Sequence, residues 1–404
     1  MSQKLFIDVL ELMRSRHARA NDIATASAGK LRQPSEALIV LQNLLASADI
    51  LTNGRRPWDI QVHDDRFYRR VLSGGSLGLG ESYMDGWWDC AALDEMCFRA
   101  VRARLEEKIP LNFQAMISIA TPVIFNLQTK RRARRVARRH YDLGNDFFEA
   151  MLDPAMQYSC AWFQGVTRLA DAQRLKMDLI CRKLRLKPGM RLLDIGCGWG
   201  GLARYAARHY GCHTVGITLS KEQQAYGDAA CRGLPVEIRL QDYRDMRESF
   251  DRIVSVGMME HVGPKNYRDY METACRCLKE DGVFLCQTIG GVRSSARTDP
   301  WIARYIFPNS ILPSASQVTH AAEGLFVLED VHNFGVHYDR TLLAWEENFR
   351  VSWHRFRNRF GDRFERMWRF YLLSCAGAFR ARSIQLYQFL FSKGGILGGY
   401  VRPQ

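Results

Sequence analysis

The chain has 404 residues, which is long enough for two or three domains, each with its own hydrophobic core. Hydrophobic residues make up 47% of it and charged residues 25%, as is ordinary for a folded soluble protein. Its eleven cysteines show no paired spacing and no CxxC motif, which argues against a disulfide scaffold and a structural zinc site and fits a reducing cytosol. The net charge of +14 predicts an acidic partner or surface, without distinguishing nucleic acid from anionic lipid.

No segment of the sequence reaches the roughly 20 apolar residues that a transmembrane helix needs. The best candidate, residues 117–127, is too short and contains Pro122. Asp8 and Glu11 interrupt the apolar residues at the N-terminus, which is therefore predicted to form an amphipathic helix and not a secretion signal. We expect a cytoplasmic protein.

Residues 1–125 are predicted to form a separate, smaller and mostly helical N-terminal domain. The glycine cluster at 73–89 resembles a phosphate loop only superficially, because no strand plainly precedes it and no GK[ST] motif follows. A tight, aromatic-capped turn is predicted there instead. Residues 126–140 are predicted to be a basic linker, in which seven of the ten residues at 130–139 are Lys or Arg.

Residues 141–404 are predicted to form an α/β domain. From about residue 190, apolar strands alternate with helices, which predicts a Rossmann-like fold with a doubly wound, mainly parallel sheet. The strands of this pattern are MRLLDIG, HTVGI, VEIRL, RIVSVG and GVFLCQTI. After residue 340 the chain is rich in aromatic residues and Arg, and we predict a pair of helices packed on the sheet or over a cleft.

The segment LLDIGCGWGG at 192–201 is the strongest functional signal. Gly196, Gly198 and Gly200 follow Asp194 between a strand and a helix, and their missing Cβ atoms let a bulky ligand approach the backbone. This spacing favours S-adenosylmethionine (SAM) over a dinucleotide, whose loop has the pattern GxGxxG. Asp194 is predicted to order the loop or to meet the cationic methionine end of SAM.

The second strand departs from the general methyltransferase pattern. It ends in GITLS, without the acidic residue that usually binds the ribose hydroxyls of SAM. Thr218, Gln223 and Asp242 are the candidates for that contact. Asp242 follows the third strand, where adenine contacts tend to lie.

Further segments, in order along the chain, resemble the cyclopropane-fatty-acyl-phospholipid synthases and the related mycolic acid cyclopropane synthases. They are HYDLGNDFF, YSCAWF, LDIGCGWGG, GITLSKEQ, QDYRD, GMMEHVGPKNY, DPWIARYIFPN, NFGVHYDRTLLAW and CAGAFRARSIQLYQF. The resemblance covers about residues 138–395, and the upstream domain looks like the lipid-binding domain of the bacterial enzymes. It implies transfer of the SAM methyl group to a cis double bond of an acyl chain, followed by loss of a proton and closure of a cyclopropane ring.

The resemblance also implies a set of site residues. SAM contacts carried over by motif are Tyr158, Ser159, Gly196, Gly198, Thr218, Leu219, Gln223, Asp242 and Tyr243. Family members hold a bicarbonate ion as the base, and its holding residues match Cys160, Glu260, Tyr338 and the backbone of Ile289. One residue departs from the family: Gln287 stands where a bicarbonate-contacting His is expected, and Gln cannot titrate. His261 and His140 are further candidates by sequence only, and His140 is predicted to be structural, because HYD looks like a hinge into the catalytic domain.

The residue types are reasonable for this chemistry without the resemblance. Glu260 lies just past a strand end, where open α/β sheets place their active sites, and Tyr338 and Cys160 offer hydrogen-bond donors to an oxyanion. Without the resemblance, these residues also allow structural interpretations. Glu260 would cap a helix, Tyr338 would be a half-buried side chain and Cys160 an inert buried one. A related outcome, a methyl branch or an exocyclic methylene in place of the ring, stays open because of Gln287.

The basic linker is predicted to face anionic phospholipid, since each Lys or Arg near such a surface contributes about 1 kcal/mol of attraction. The alternatives are a solvated helix that only links domains, and an RNA grip in a nucleic-acid methyltransferase, for which no RNA-binding signature is present. The expected partners are therefore unsaturated phospholipids and not nucleic acid, with peripheral contact at the inner face of the cell membrane. A homodimer is implied by the family alone, and a catalytically dead lipid-binding relative is opposed by Glu260 and the intact glycine loop.

Overall fold

The computed structural model describes residues 34–109, 143–295 and 298–403. The predicted N-terminal amphipathic helix, the basic linker and His140 lie outside these residues. The domain boundaries near residues 125 and 140 also lie outside them and stay predictions.

The N-terminal part consists of short helices around a two-stranded antiparallel sheet. Its elements are α1 (Pro34–Ala46), β1 (Gln61–Val62), α2 (Arg66–Met84), β2 (Trp88–Asp89), α3 (Leu93–Arg102) and α4 (Leu105–Lys108). The sheet is small because each strand has only two residues, so packing of the helices supplies most of the buried apolar surface here.

Helix α2 runs through most of the glycine cluster at 73–89, where the sequence predicted a tight turn; that prediction is wrong. The helix kinks at Gly75, whose φ of 54° is unfavourable for residues with a side chain. Gly80 serves another purpose, since a Cβ atom there would lie 2.4 Å from the ring of the buried Trp301. The glycines thus allow a bend and a close contact inside one helix.

We expect Gly80→Ala to destabilise the protein by about 1–3 kcal/mol, because the added methyl group overpacks a rigid contact with Trp301. Gly74→Ala in the same helix is the matched control: its Cβ meets nothing within 4 Å, and it should be neutral or slightly stabilising. Midpoints of urea unfolding measure both changes. Equal midpoints for the two variants would contradict the close-contact role of Gly80.

The remainder of the described chain forms the α/β part. Its helices are α5 (Asn145–Met151), α6 (Leu169–Lys183), α7 (Gly201–Tyr210), α8 (Lys221–Ala230), α9 (Met259–Val262), α10 (Tyr267–Cys277), α11 (Pro300–Tyr305), α12 (Ala315–Ala322), α13 (Val336–Ser352), α14 (Arg357–Phe360) and α15 (Asp362–Arg380). Its strands are β3 (Arg191–Ile195), β4 (His213–Thr218), β5 (Val236–Leu240), β6 (Phe250–Val256), β7 (Leu278–Gly291), β8 (Val327–Asn333) and β9 (Ile384–Ser392).

The seven strands form one sheet in the order β5-β4-β3-β6-β7-β9-β8. Strands β3 to β7 are parallel, as predicted, and β9 lies antiparallel between β7 and β8. This confirms the doubly wound Rossmann-like class. The prediction of a helical pair after residue 340 is correct for α13 and α15 but misses β9. A short apolar run such as IQLYQFLFS cannot be distinguished from a buried helix by periodicity alone.

The N-terminal helices and the C-terminal helices share one hydrophobic core. Helix α3 packs so closely on α15 that a Cβ atom at Gly377 would lie 2.5 Å from the carbonyl oxygen of Asp94. Arg380 at the end of α15 also pairs with the Asp94 carboxylate at 2.6 Å. Among the helices that the structure describes, none has both the length and the apolar content required to cross a bilayer.

Candidate active site

The glycine loop follows β3 and leads into α7. Gly196, Gly198 and Gly200 all have positive φ angles, of 82°, 56° and 77°. A Cβ atom at Gly198 would meet nothing within 4 Å, whereas one at Gly196 would lie 3.3 Å from Sδ of Met258. The loop is therefore open at Gly198, where a ligand can approach the backbone.

Asp194 lies beneath this loop and is almost completely buried. Its Oδ2 atom has no hydrogen-bond partner. Burial raises the pKa of this carboxyl to about 7, and the positive charge of Lys176 opposes that rise. A buried carboxylate oxygen without a partner beside an open loop fits a ligand that carries positive charge, as SAM does.

The residues after β4 and β5 form the next part of the site. The Thr218 hydroxyl donates to Oε1 of Gln223 at 2.7 Å, and the partly buried Leu219 follows Thr218. The buried Asp242 carboxylate accepts hydrogen bonds from the Arg244 guanidinium at 2.7 and 2.8 Å. Each candidate for the ribose contact thus has a hydrogen-bond partner within the protein. Thr218 and Gln223 bond to each other, and Asp242 forms an ion pair with Arg244.

Tyr243 follows Asp242 and is buried. Its ring packs edge-on against Tyr270, with 5.4 Å between the ring centroids. Burial raises the pKa of its phenol to about 12, so the side chain is neutral at physiological pH. Its contact with the cofactor stays a prediction.

Glu260 lies in α9, which follows the carboxyl end of β6. Its Oε1 atom accepts the backbone N–H of Ile289 at 2.7 Å, while its buried Oε2 atom has no partner. Burial raises the pKa of this carboxyl to about 7, although the hydrogen bond from the Ile289 N–H opposes the rise. Near neutral pH this group can therefore both accept and release a proton.

Tyr338 interacts electrostatically with both Cys160 and Glu260. Tyr338 and Cys160 are both buried, and Cys160 is completely inaccessible. Burial raises the pKa of the Tyr338 phenol well above its usual range, and nearby Cys160 and Glu260 raise it further. Burial likewise raises the pKa of the Cys160 thiol far above neutrality. Cys160 is thus a neutral thiol and not a thiolate nucleophile, and its S–H donates to the carbonyl oxygen of Ala161 at 3.2 Å.

Gln287 and Ile289 occupy β7 and point to the same face of the sheet, because side chains alternate along a strand. Gln388 lies directly opposite on β9 and donates its amide to Oε1 of Gln287 at 2.8 Å. The N–H of Ile289 is used by Glu260, and its carbonyl accepts the Thr288 hydroxyl at 3.1 Å. A bound anion that carries a proton can therefore donate it to the Ile289 carbonyl oxygen. The Ile289 N–H is already used by Glu260 and does not donate to the anion.

The partly buried Tyr158 and the buried Ser159 precede Cys160. The Tyr158 hydroxyl lies 3.0 Å from that of Tyr371, and its ring packs against Trp345 at 5.2 Å between centroids. The Ser159 hydroxyl accepts a hydrogen bond from Lys176 at 2.8 Å. These residues thus connect the buried Lys176 with the aromatic side chains Tyr371 and Trp345.

Sequence reasoning missed several buried polar residues of this site. They are Gln157, Gln173, Lys176, Thr288, Thr341 and Gln388. Local sequence carries no clear signal for them: a Lys or Gln in a helix or strand is usually exposed, and only packing against distant segments buries it.

His261, a candidate by its position in sequence, packs its ring against Phe307 with 5.8 Å between centroids. Burial lowers the pKa of its imidazole to about 4, so it is neutral at physiological pH. In the described ranges, no three His, Cys, Asp or Glu side chains are grouped as metal ligands would be.

A family model described as mycolic acid cyclopropane synthetase matches residues 128–389, well over half of the chain. The chain belongs to this family. The glycine loop, the Glu260 pocket and the 158–160 segment all lie within the matched residues.

Individual relatives agree with this membership. The chain is 54% identical over 355 residues to the cyclopropane-fatty-acyl-phospholipid synthase of Escherichia coli, covering 88% of this chain and 93% of the relative. It is 34% identical to the tuberculostearic acid methyltransferase UfaA1 of Mycobacterium tuberculosis, with 82% of each chain covered.

Solved structures of the family share the fold of the α/β part. The cyclopropane synthase MmaA2 from Mycobacterium tuberculosis is 34% identical with a TM-score of 0.60, and the match covers 64% of this chain and 98% of that one. The mycolic acid cyclopropane synthase CmaA1, complexed with SAH and CTAB, gives 34% identity, a TM-score of 0.61 and the same coverage. SAH is SAM without its transferable methyl group, and SAM is accordingly the cofactor of this family member.

Proposed function

We propose that this chain transfers the methyl group of SAM to the cis double bond of an unsaturated phospholipid acyl chain and closes a cyclopropane ring. The observation that carries the proposal is the buried Glu260 carboxylate, whose Oε2 atom is unpartnered and whose pKa is about 7. A base of this kind suits the last step, in which a proton leaves the methylated chain. The 54% identity to the Escherichia coli synthase supports the substrate class.

SAM supplies an electrophilic methyl group when it is bound. The open backbone at Gly198 leaves room for it, and Asp194 offers a carboxylate oxygen to its positive charge. The buried Trp345 and the partly buried Tyr158, whose rings pack together, exclude water from the neighbouring space. Exclusion of water matters because an alkene is a poor nucleophile and must be aligned with the methyl group without competition.

Glu260 is proposed to act on the departing proton, either directly or by holding bicarbonate. For a bicarbonate ion, Glu260 Oε2 and the Ile289 carbonyl oxygen are the two acceptors available to its single proton, and Tyr338 donates a hydrogen bond to its oxygens. Cys160 donates to the ion only by giving up its hydrogen bond to the Ala161 carbonyl oxygen. Gln287 donates through its amide, because its Oε1 atom is occupied by Gln388. Since an amide does not titrate, Gln287 anchors the ion and does not relay a proton.

A second outcome of the same methyl transfer is a methyl-branched or methylene-bearing chain. The replacement of the expected His by Gln287 favours it, as does the similarity to the tuberculostearic acid methyltransferase. After methyl transfer, loss of a methyl proton with ring closure gives the cyclopropane, and loss of a neighbouring chain proton gives a methyl-branched alkene. An exocyclic methylene needs a hydride shift along the chain before the methyl proton is lost. A displaced base would change which of these routes is followed.

The deciding experiment incubates the purified protein with methyl-labelled SAM and vesicles of unsaturated anionic phospholipid. Proton NMR of the recovered acyl chains then identifies the product. Strongly upfield ring protons establish cyclopropane formation with Gln287 in place. Label in the chains without ring protons establishes the branched or methylene product, and no label in lipid contradicts both.

We further propose that the chain reaches its substrate as a peripheral protein, a homodimer at the inner face of the cell membrane. Seven cationic residues at 130–139, outside the described residues, supply the attraction to anionic phospholipid. Light scattering after size exclusion measures the oligomeric state.

Reversing four charges of this tract should abolish vesicle binding, because about 1 kcal/mol of attraction per charge is replaced by repulsion. The changes are Arg131, Arg132, Arg134 and Arg135 to Glu. Vesicle co-sedimentation at low and high salt measures binding, and calorimetry should show unchanged SAM affinity.

A matched control alters net charge equally at exposed positions of the described fold. It replaces Arg55, Lys187, Arg208 and Arg232 by Glu. The control should lose only the weaker, non-local part of the attraction. Equal loss of binding by both variants would assign the effect to net charge, against a specific basic patch.

A further inference from the structure

Lys176 in α6 is completely buried. Its ammonium donates hydrogen bonds to Oε1 of Gln157 at 2.7 Å and to the hydroxyl of Ser159 at 2.8 Å. An isolated buried charge is costly, so a lysine in this place needs partners and is seldom retained for packing alone. Both partners belong to the segment that ends in Cys160.

Buried side chains at both ends of this segment fix its course. Asp153 accepts the backbone N–H groups of Ala155 at 2.9 Å and Gln157 at 2.8 Å. Gln173, also in α6, donates to the carbonyl oxygens of Gln157 at 3.2 Å and Ser159 at 2.8 Å. Lys176 and Gln173 together hold both backbone and side chains of residues 157–159.

The same segment packs against the glycine loop. A Cβ atom at Gly201, the first residue of α7, would lie 2.0 Å from the carbonyl oxygen of Ala155 and 2.4 Å from Nε2 of Gln157. The segment therefore contacts the loop at one end and carries Cys160 at the other, where Tyr338 interacts with both Cys160 and Glu260. A displacement of residues 157–160 would move both halves of the site together.

The titratable groups that influence Lys176 are Asp153, Cys160 and Asp194. Burial lowers the pKa of Lys176 to about 8, and these three groups oppose that change. Asp194 Oδ2 and Gln173 Oε1 are buried without hydrogen-bond partners. The cluster thus contains a lysine, an unsatisfied carboxylate and an unsatisfied amide directly beneath the predicted cofactor site.

We propose that Lys176 is a positioning residue for this reaction: it holds residues 157–160 between the glycine loop and the Glu260 pocket. The link between residues 157–160 and the Glu260 pocket rests on the proposed function. The link between these residues and the glycine loop concerns cofactor binding alone and is tested without lipid.

The test is Lys176→Met, with SAM affinity measured by calorimetry from pH 6 to pH 9. We expect the Kd for SAM at neutral pH to rise roughly tenfold or more, because two charged hydrogen bonds that hold the segment are lost. Without the lysine charge the pKa of Asp194 rises, so the pH below which affinity falls should move upward. A loss of packing alone would not move this profile.

Lys183→Met is the matched control. Lys183 lies in the same helix and is equally buried, and burial lowers its pKa to about 8 as well. Its ammonium, however, lies 3.1 Å from Nδ1 of His332, away from the 157–160 segment. We expect this variant to lose stability and to keep the SAM affinity and pH profile of the unaltered protein.

A folded Lys176→Met protein that behaves like Lys183→Met would overturn the proposal. Should Lys176→Met not fold, Gln157→Met removes one acceptor and retains the charge; a several-fold rise in Kd for SAM without a pH shift supports the proposal, and an unchanged Kd overturns it. Failure of the proposed function is seen separately, as the absence of ring protons in the lipid product of the unaltered protein.

Discussion

Glu260→Gln is expected to lower the rate of methyl transfer to lipid by about 10²–10⁴-fold, the usual contribution of a positioned general base. The amide oxygen of Gln keeps the hydrogen bond to the Ile289 N–H and the volume is conserved, so the pocket retains its shape. The unpartnered Oε2, the atom that accepts a proton, is what the substitution removes. SAM affinity should change little.

The same substitution should stabilise the fold above neutral pH. Burial raises the pKa of Glu260 from 4.5 to about 7, so ionising it costs stability that is lost as pH rises through this range. Gln does not ionise, and at pH 8 the variant should be more stable by roughly 3 kcal/mol at most, with little difference near pH 4. Urea unfolding at both pH values measures the change.

The pH dependence of catalysis follows from the same group. Below about pH 7 the Glu260 carboxyl is protonated and cannot accept a proton, so the rate at saturating SAM should fall on the acid side. Saturating SAM is needed because the Asp194 carboxyl titrates in the same range and affects SAM binding instead.

Glu346→Gln provides the matched control. Glu346 is buried and paired with Arg369 at 2.8 Å, so its replacement should reduce stability and leave the rate of methyl transfer near that of the unaltered protein. Full activity in Glu260→Gln, together with ring formation, would place the base on another group.

Gly198→Leu should raise the Kd for SAM by roughly 100-fold or more, since the side chain enters the space that the open loop leaves for the cofactor. Fold stability should fall by only about 1–2 kcal/mol, the cost of a side chain at positive φ. Calorimetry with SAM and thermal unfolding measure the two effects.

Gly233→Leu separates backbone strain from ligand exclusion. Gly233 also has a positive φ, of 80°, and open space at its Cβ position, but it lies after α8 and outside the glycine loop. We expect the same loss of stability with unchanged SAM affinity. If both variants bound SAM equally, Gly198 would not face the cofactor.

The cofactor class and the sheet were predictable because their signals are local. Alternating strands and helices need only short-range periodicity, and the acidic-x-GxGxG pattern is contained in a few residues around Asp194. The resemblance to cyclopropane synthases was equally accessible, because it rests on ordered motifs and not on contacts. For the same reason the sequence alone shows that Gln287 replaces the expected His, although it does not show which residues surround Gln287.

Other features depended on contacts between distant segments. The sequence suggested a turn at the glycine cluster, but Gly80 is explained by Trp301, more than 200 residues later in the chain. Strand β9 was missed because its placement depends on pairing with β7 and β8, and not on its own periodicity.

By itself, then, the sequence determined the fold class, the cofactor and the family, since each is written in short segments. Only the tertiary structure decided which polar groups are buried and which of their atoms lack partners. Burial and the lack or presence of a partner give three features of the site their properties. They are the buried Lys176, the unpartnered oxygens of Asp194 and Glu260, and the Gln287–Gln388 pair. The physical reason is that a pKa or an unsatisfied hydrogen bond depends on loss of water and on neighbours brought together by folding, neither of which is a property of local sequence.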